Sequence, residues 1–123
     1  MIKGYRDFYY NVKDMKTAIE FYQNALGMTK TYGQEHWSTM TIGNLNLGLH
    51  WSDNQAIPPT PRDTHGQYSG GTLTLHSDDI SSDKIKIEKA GGKILGEAHQ
   101  AWGHMLAFED IDGNVLKLMN PKY

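Results

Sequence analysis

Residues 14–27, DMKTAIEFYQNALG, return in outline as residues 79–92, DISSDKIKIEKAGG: Asp14, Ala25 and Gly27 recur as Asp79, Ala90 and Gly92, each 65 positions later. Each stretch opens on an aspartate suited to accept hydrogen bonds from the first free N–H groups of a helix, and each closes on glycine. In the first, Ala18, Ile19, Tyr22, Ala25 and Leu26 fall on one helical face. In the second, the helix runs through Ile85, Ile87 and Ala90 to the stop at Gly91-Gly92, with Asp79 and Ser81 as capping candidates.

The flanks repeat as well. Tyr5 to Val12 alternates as a strand before the first helix, and Met28 to Gly33, His36 to Ile42 and Leu45 to Trp51 read as three strands after it. Around the second helix the strands fall at Gly71 to Ser77, Lys93 to Glu97, Ala101 to Glu109 and Asn114 to Met119, with Asp110-Ile111-Asp112-Gly113 as a turn. The order is βαβββ twice, an internal duplication. The expectation is an α+β fold, with module one at 4–51, a linker at 52–69 and module two at 70–120 of a single domain. The linker holds Pro58, Pro59 and Pro61 and no periodicity; it either connects the modules or folds over a cleft as a lid.

Composition narrows the partners. The chain has 123 residues, 38% of them hydrophobic, which suffices for one core. Twelve Lys and Arg against 14 Asp and Glu, with no basic run, give none of the charge that nucleic-acid binding requires. No apolar stretch approaches the ~18 residues of a membrane span, and MIKGYRDFYY lacks a signal-peptide core, so a cytoplasmic protein is expected. With no Cys, any metal would rest on His, Asp or Glu.

Alternation along the strands sorts side chains into two faces. Phe8, Tyr10, Val12, Leu45, Leu47, Leu49, Leu73, Leu75, Leu116 and Leu118 form the surface that helices would cover, with Trp51 on it. The opposite face is polar and aromatic: Asp7, Tyr9, Asn11, Asn46, Gly48, His50, Thr72, Thr74, His76, Lys117 and Met119. If Gly43-Asn44 closes the first hairpin, Trp37 stands opposite His50 and Thr39 opposite Gly48 on this face. Pairing across the second hairpin adds Trp102, His104, Leu106 and Phe108, unless a bulge in the Asp-rich turn reverses the assignment. An exposed sheet face rich in Trp, Tyr and His suits a ligand better than bare solvation does.

FYQNALGM (21–28) after Asp14, the LxL strand before a loop, AGGKILGE (90–97) and FEDIDGNVLKL (108–118), taken in order, resemble the vicinal oxygen chelate superfamily of glyoxalase I, bleomycin-resistance proteins, extradiol dioxygenases and fosfomycin-resistance enzymes. The resemblance spans nearly the full chain. It implies paired βαβββ modules in a U-shaped mixed sheet with helices on the outer face, and a homodimer that often completes the cleft. It also implies metal ligands on the first and last strands of each module, which fall here on Asp7, Gly48, Thr72 and Lys117. That is a poor set: glycine has no side chain, an ammonium repels a cation and threonine is a weak ligand. Asp7 and Lys117 are instead expected to pair where the ion would sit, or to be solvated at the rim.

No catalytic residue, metal or cofactor is assigned. The leading expectation is a small-molecule-binding protein that holds a planar or heteroaromatic compound among Tyr9, Trp37, Thr39, His50, Thr72, Thr74, Trp102 and His104. His36, His65 and His99 read as surface residues. The alternative is a glyoxalase-like lyase, isomerase or dioxygenase with a relocated metal site drawn from Asp7, His50, His76 and His104, or with acid–base chemistry by His50 or His104. A protein-interaction role is the remaining reading.

Overall fold

A computed structural model describes residues 1–61 and 70–122. Its elements follow the order β1 (Phe8–Val12), α1 (Met15–Leu26), β2 (Thr29–Gly33), β3 (Trp37–Ile42), β4 (Leu45–Trp51), β5 (Leu73–His76), α2 (Ile80–Lys89), β6 (Lys93–Gln100), β7 (Gly103–Glu109) and β8 (Val115–Pro121). The helices start and stop where local chemistry demands. Asp14 accepts from the Thr17 N–H at 2.9 Å, and α1 closes at Gly27 in the left-handed region (φ 67), a conformation that glycine adopts without Cβ strain. Asp79 caps α2 in the same way through the Ser82 N–H at 3.1 Å.

Two four-stranded mixed sheets result, ordered β1-β4-β3-β2 and β5-β8-β7-β6. β1 runs parallel to β4, and β5 to β8, while the remaining pairs are antiparallel. The two sheets share one permutation, as a duplicated α+β unit requires. One apolar cluster joins the modules, combining Phe21, Tyr22, Met40, Leu47 and Leu49 with Ile80, Ile87, Leu106, Phe108 and Leu116. Each such side chain contributes about 1.5–3 kcal/mol on burial. Ile85, by contrast, faces solvent.

Polar bonds fasten the modules across this core. The buried Tyr22 hydroxyl donates to Asp110 Oδ2 at 2.6 Å, Tyr10 donates to the Val115 carbonyl at 2.8 Å, and Asn114 Nδ2 donates to the Asn11 carbonyl at 2.9 Å. Asp110 also accepts from the backbone N–H groups of Asp112 and Asn114, both at 2.9 Å, and so organises its own turn. Burial raises the Asp110 carboxyl above its ordinary range, and burial next to Asp110 raises the Tyr22 phenol.

The first hairpin has the expected register, Trp37 opposite His50 and Thr39 opposite Gly48. The second does not. Glu109 pairs with Val115, Phe108 with Leu116 and Leu106 with Leu118, so Leu106 and Phe108 join the buried leucines rather than the polar face. The cause is the connection between β7 and β8, where the Asp110-capped turn and Gly113 in the left-handed region (φ 84) set the pairing. The reversal noted as possible for this turn is therefore the one that occurs.

Among the described residues no helix is long and apolar enough to cross a membrane. Residues 62–69, the carboxy-terminal part of the segment expected as a connector or lid, lie outside the described residues, His65 with them.

Candidate functional site

The polar face of the first sheet gathers its aromatic side chains around a glycine. Tyr9 on β1, Gly48 on β4 and Thr39 on β3 stand in one cross-strand row, with Asn11, His50 and Trp37 in the next. The Trp37 indole lies across Gly48 so closely that a Cβ there would fall 2.1 Å from Trp37 Cζ2 and 2.9 Å from Tyr9 Cβ. Only glycine leaves room for the ring. Trp37 Nε1 donates to Thr39 Oγ1 at 3.1 Å, which fixes the ring's orientation. Ring centroids lie 5.4 Å apart for Tyr9–Trp37, 6.1 Å for Tyr9–His50 and 6.3 Å for Trp37–His50, spacings at which aromatic groups attract one another.

His50 is oriented by Asn11, whose Oδ1 is 3.0 Å from its Nδ1. An amide oxygen only accepts, so the neutral imidazole carries its proton on Nδ1 and turns Nε2 outward as an acceptor. The Arg6 guanidinium sits 6.0 Å from the Trp37 ring centroid, a cation–π distance. The result is an exposed aromatic ledge, with Tyr9 53% accessible, carrying one cation and one outward acceptor.

The positions to which the resemblance assigns metal ligands hold a poor donor set. The Gly48 position is filled by the Trp37 indole, and a side-chain ligand would collide with it. Lys117 brings an ammonium. The expected Asp7–Lys117 pair is not formed among the described residues, because Asp7 precedes β1 and is reached by its neighbour Arg6, whose guanidinium it pairs with. Lys117 stands on β8 between Thr74 and Ala107.

The other predicted site residues fall elsewhere. Thr74 is on β5, and Thr72 lies just before that strand, which starts at Leu73. Among the described residues no hydrogen bond, ion pair or ring contact joins either threonine to the Trp37 ledge. His76 instead borders a cavity of about 400 Å³ between the end of α1 (Ala25, Leu26) and Asp83 of α2. Trp102 is not in a strand at all: β7 starts at Gly103, and Trp102 occupies the two-residue turn from β6, where it is 42% accessible. His104 has the parity of Leu106 and Phe108 and therefore belongs to the opposite face of its sheet, where its Nε2 lies 2.6 Å from Glu97 Oε2. His36 is exposed as expected and meets Asp53 at 2.9 Å. Trp51 is half-buried rather than fully enclosed, its Nε1 donating to the Lys13 carbonyl at 3.1 Å.

Sequence reading missed Arg6 and Glu97. Arg6 lies inside the run expected as the first strand but ahead of β1 itself, which starts at Phe8, while Glu97 and His99 occupy alternate positions on a strand that continues to Gln100, beyond its expected end. That i, i+2 spacing ahead of His104 is the signal that would have exposed them.

A four-stranded sheet of this permutation occurring twice, each copy with its helix, defines a paired βαβββ protein. The chain belongs to the glyoxalase/bleomycin resistance protein/dioxygenase superfamily, whose family model matches residues 6–118. Among solved structures it is similar to the genomically encoded fosfomycin resistance protein FosX from Listeria monocytogenes, with 18% identity and TM-score 0.77 over 99% of this chain and 96% of that one. A mutant of that protein complexed with Mn(II) and 1S,2S-dihydroxypropylphosphonic acid matches at 18% identity and TM-score 0.73, covering 99% and 93%. FosX from Mesorhizobium loti matches at 14% identity and TM-score 0.73, covering 99% and 95%. At these identities the shared property is the fold.

Proposed function

We propose that this chain is a binding protein for a planar or heteroaromatic small molecule, held on the ledge of Tyr9, Trp37, Thr39 and His50 with no divalent ion at the family's metal positions. The observation that carries this is Trp37 lying over Gly48: the place where relatives of this fold would present a ligand to a metal is given to an indole face instead. Stacking on Tyr9 and Trp37 supplies apolar contact and His50 Nε2 accepts a hydrogen bond. We place the protein as a homodimer, with the exposed edge strand β2 as an edge a second copy covers.

The test is calorimetric titration of untagged protein with bleomycin, with small heteroaromatic compounds, and with fosfomycin plus Mn(II). Binding of an aromatic compound that falls about tenfold or more in Trp37→Ala, through loss of stacking worth roughly 1–2 kcal/mol, supports the reading. Binding confined to fosfomycin plus Mn(II), unaffected by Trp37→Ala, refutes it. A second reading, acid–base catalysis by His50, draws on the Asn11 bond that aims Nε2 outward; turnover lost in His50→Gln and unaffected by chelators distinguishes it.

A further inference from the structure

The β6–β7 hairpin carries a second constellation, away from the ledge. Glu97 and His99 are alternate residues of β6, and His99 stands directly opposite His104 on β7. A two-residue turn, Ala101-Trp102, holds the strands together here, so the three side chains share one face of a short, stiff ribbon. One donor atom from each lies within 4.8 Å of the others. The imidazoles stack with centroids 3.8 Å apart at 26°, and both direct Nε2 at the same carboxylate oxygen: His104 Nε2 is 2.6 Å and His99 Nε2 3.3 Å from Glu97 Oε2.

We propose that Glu97, His99 and His104 form a binding site for one divalent transition-metal ion of the zinc class. Bond lengths of about 2.0–2.2 Å to imidazole nitrogen and carboxylate oxygen in a tetrahedral site set neighbouring donors about 3.2–3.6 Å apart. The His99–Glu97 separation of 3.3 Å is already in that range, and His104 needs to retreat by less than about 1 Å. Two imidazoles and one carboxylate make a borderline donor set suited to Zn2+, Ni2+, Cu2+ or Co2+ rather than to Mg2+ or Ca2+. Three protein ligands leave a fourth position for water.

The surroundings position this set. Lys84 of α2 donates to Glu97 Oε1 at 3.0 Å, anchoring the carboxylate by the oxygen the ion does not use. β6 is an edge strand and His99 has 70% of its side chain accessible, so an ion reaches the site without any rearrangement of the core. These residues share no position with Asp7, Gly48, Thr72 and Lys117, and the site stands or falls independently of ligand binding on the ledge.

The experiment is calorimetric titration of the untagged chain with Zn2+ alone, paired with the visible absorption of Co2+. One equivalent of Zn2+ is expected, with Co2+ bands of a low-coordinate nitrogen–oxygen site. His99→Ala, His104→Ala and Glu97→Gln each weaken binding about tenfold or more and bleach the bands, while His36→Ala leaves both unchanged. Apparent affinity falls as pH is lowered, because the ligands bind the ion only when deprotonated. His99→Ala removes an exposed side chain, so retained circular dichroism keeps its result interpretable. Absence of saturable Zn2+ binding up to millimolar metal, or binding equally strong in His99→Ala and His104→Ala, overturns the proposal.

Discussion

Replacing Gly48 by alanine tests the geometry on which the ledge depends. The added Cβ lies 2.1 Å from Trp37 Cζ2, 2.4 Å from Cη2 and 2.9 Å from Tyr9 Cβ. Carbon atoms settle at about 3.5–4.0 Å, so the indole edge must move by roughly 1.5 Å or more. Movement on that scale breaks the Trp37–Thr39 hydrogen bond, worth about 0.5–1.5 kcal/mol. Tyr9 Cβ is attached to the β1 backbone and cannot swing away as a ring can, so part of the strain passes into the β1–β4 pairing. Overpacking of this kind costs about 1–3 kcal/mol in total, a fall in Tm on the order of 5 °C. Urea denaturation gives the energy, and the indole N–H resonances give the cause, since Trp37 alone among the three tryptophans should shift strongly. In a Trp37→Ala background the indole's share of the Gly48→Ala penalty should vanish, leaving only the part that arises from the contact with Tyr9 Cβ. A Gly48→Ala protein with wild-type midpoint and an unmoved Trp37 resonance would refute the reasoning.

Two further outcomes concern the polar network. Tyr22→Phe deletes the hydroxyl that donates to buried Asp110 and should destabilise the chain by about 1–3 kcal/mol. It should also raise the Asp110 carboxyl further, since that bond is one of those holding it down; carbon-detected NMR titration of the side chain reads the shift. Glu97, lowered to about 2 from 4.5, contributes stability that is present above pH ~4.5 and lost as pH falls toward 2. The stability gap between wild type and Glu97→Gln should therefore narrow as pH falls across that interval; a gap that widens on acidification contradicts the assignment.

What the sequence could and could not disclose follows from how local each determinant is. The capped helices were legible because Asp14 meets Thr17 three residues on and Gly27 closes the same helix. The first register was legible because a two-residue turn at Gly43-Asn44 permits one in-phase pairing, which brought Tyr9, Trp37, Thr39 and His50 to one face. The second hairpin has a longer connection, and residue types alone do not say where pairing resumes. One step of phase moved His104 and the buried Leu106 and Phe108 to the other face. Asp7 chose Arg6 over Lys117 because a sequence neighbour needs no fold to reach it. The Asp110–Tyr22 bond spans 88 residues, beyond any pattern within a window.

That last bond carries an implication for the protein's ancestry. A repeat born of duplication begins as two equal copies, yet here the phenol of one copy's helix is completed by the carboxylate of the other copy's final turn. Cut between the halves, the amino-terminal fragment keeps a tyrosine whose hydroxyl has lost its acceptor, and the carboxy-terminal fragment keeps an acid pushed into an apolar setting without its donor. Each half has become the other's missing piece, so fragments supplied separately should recover their native spectrum only when mixed.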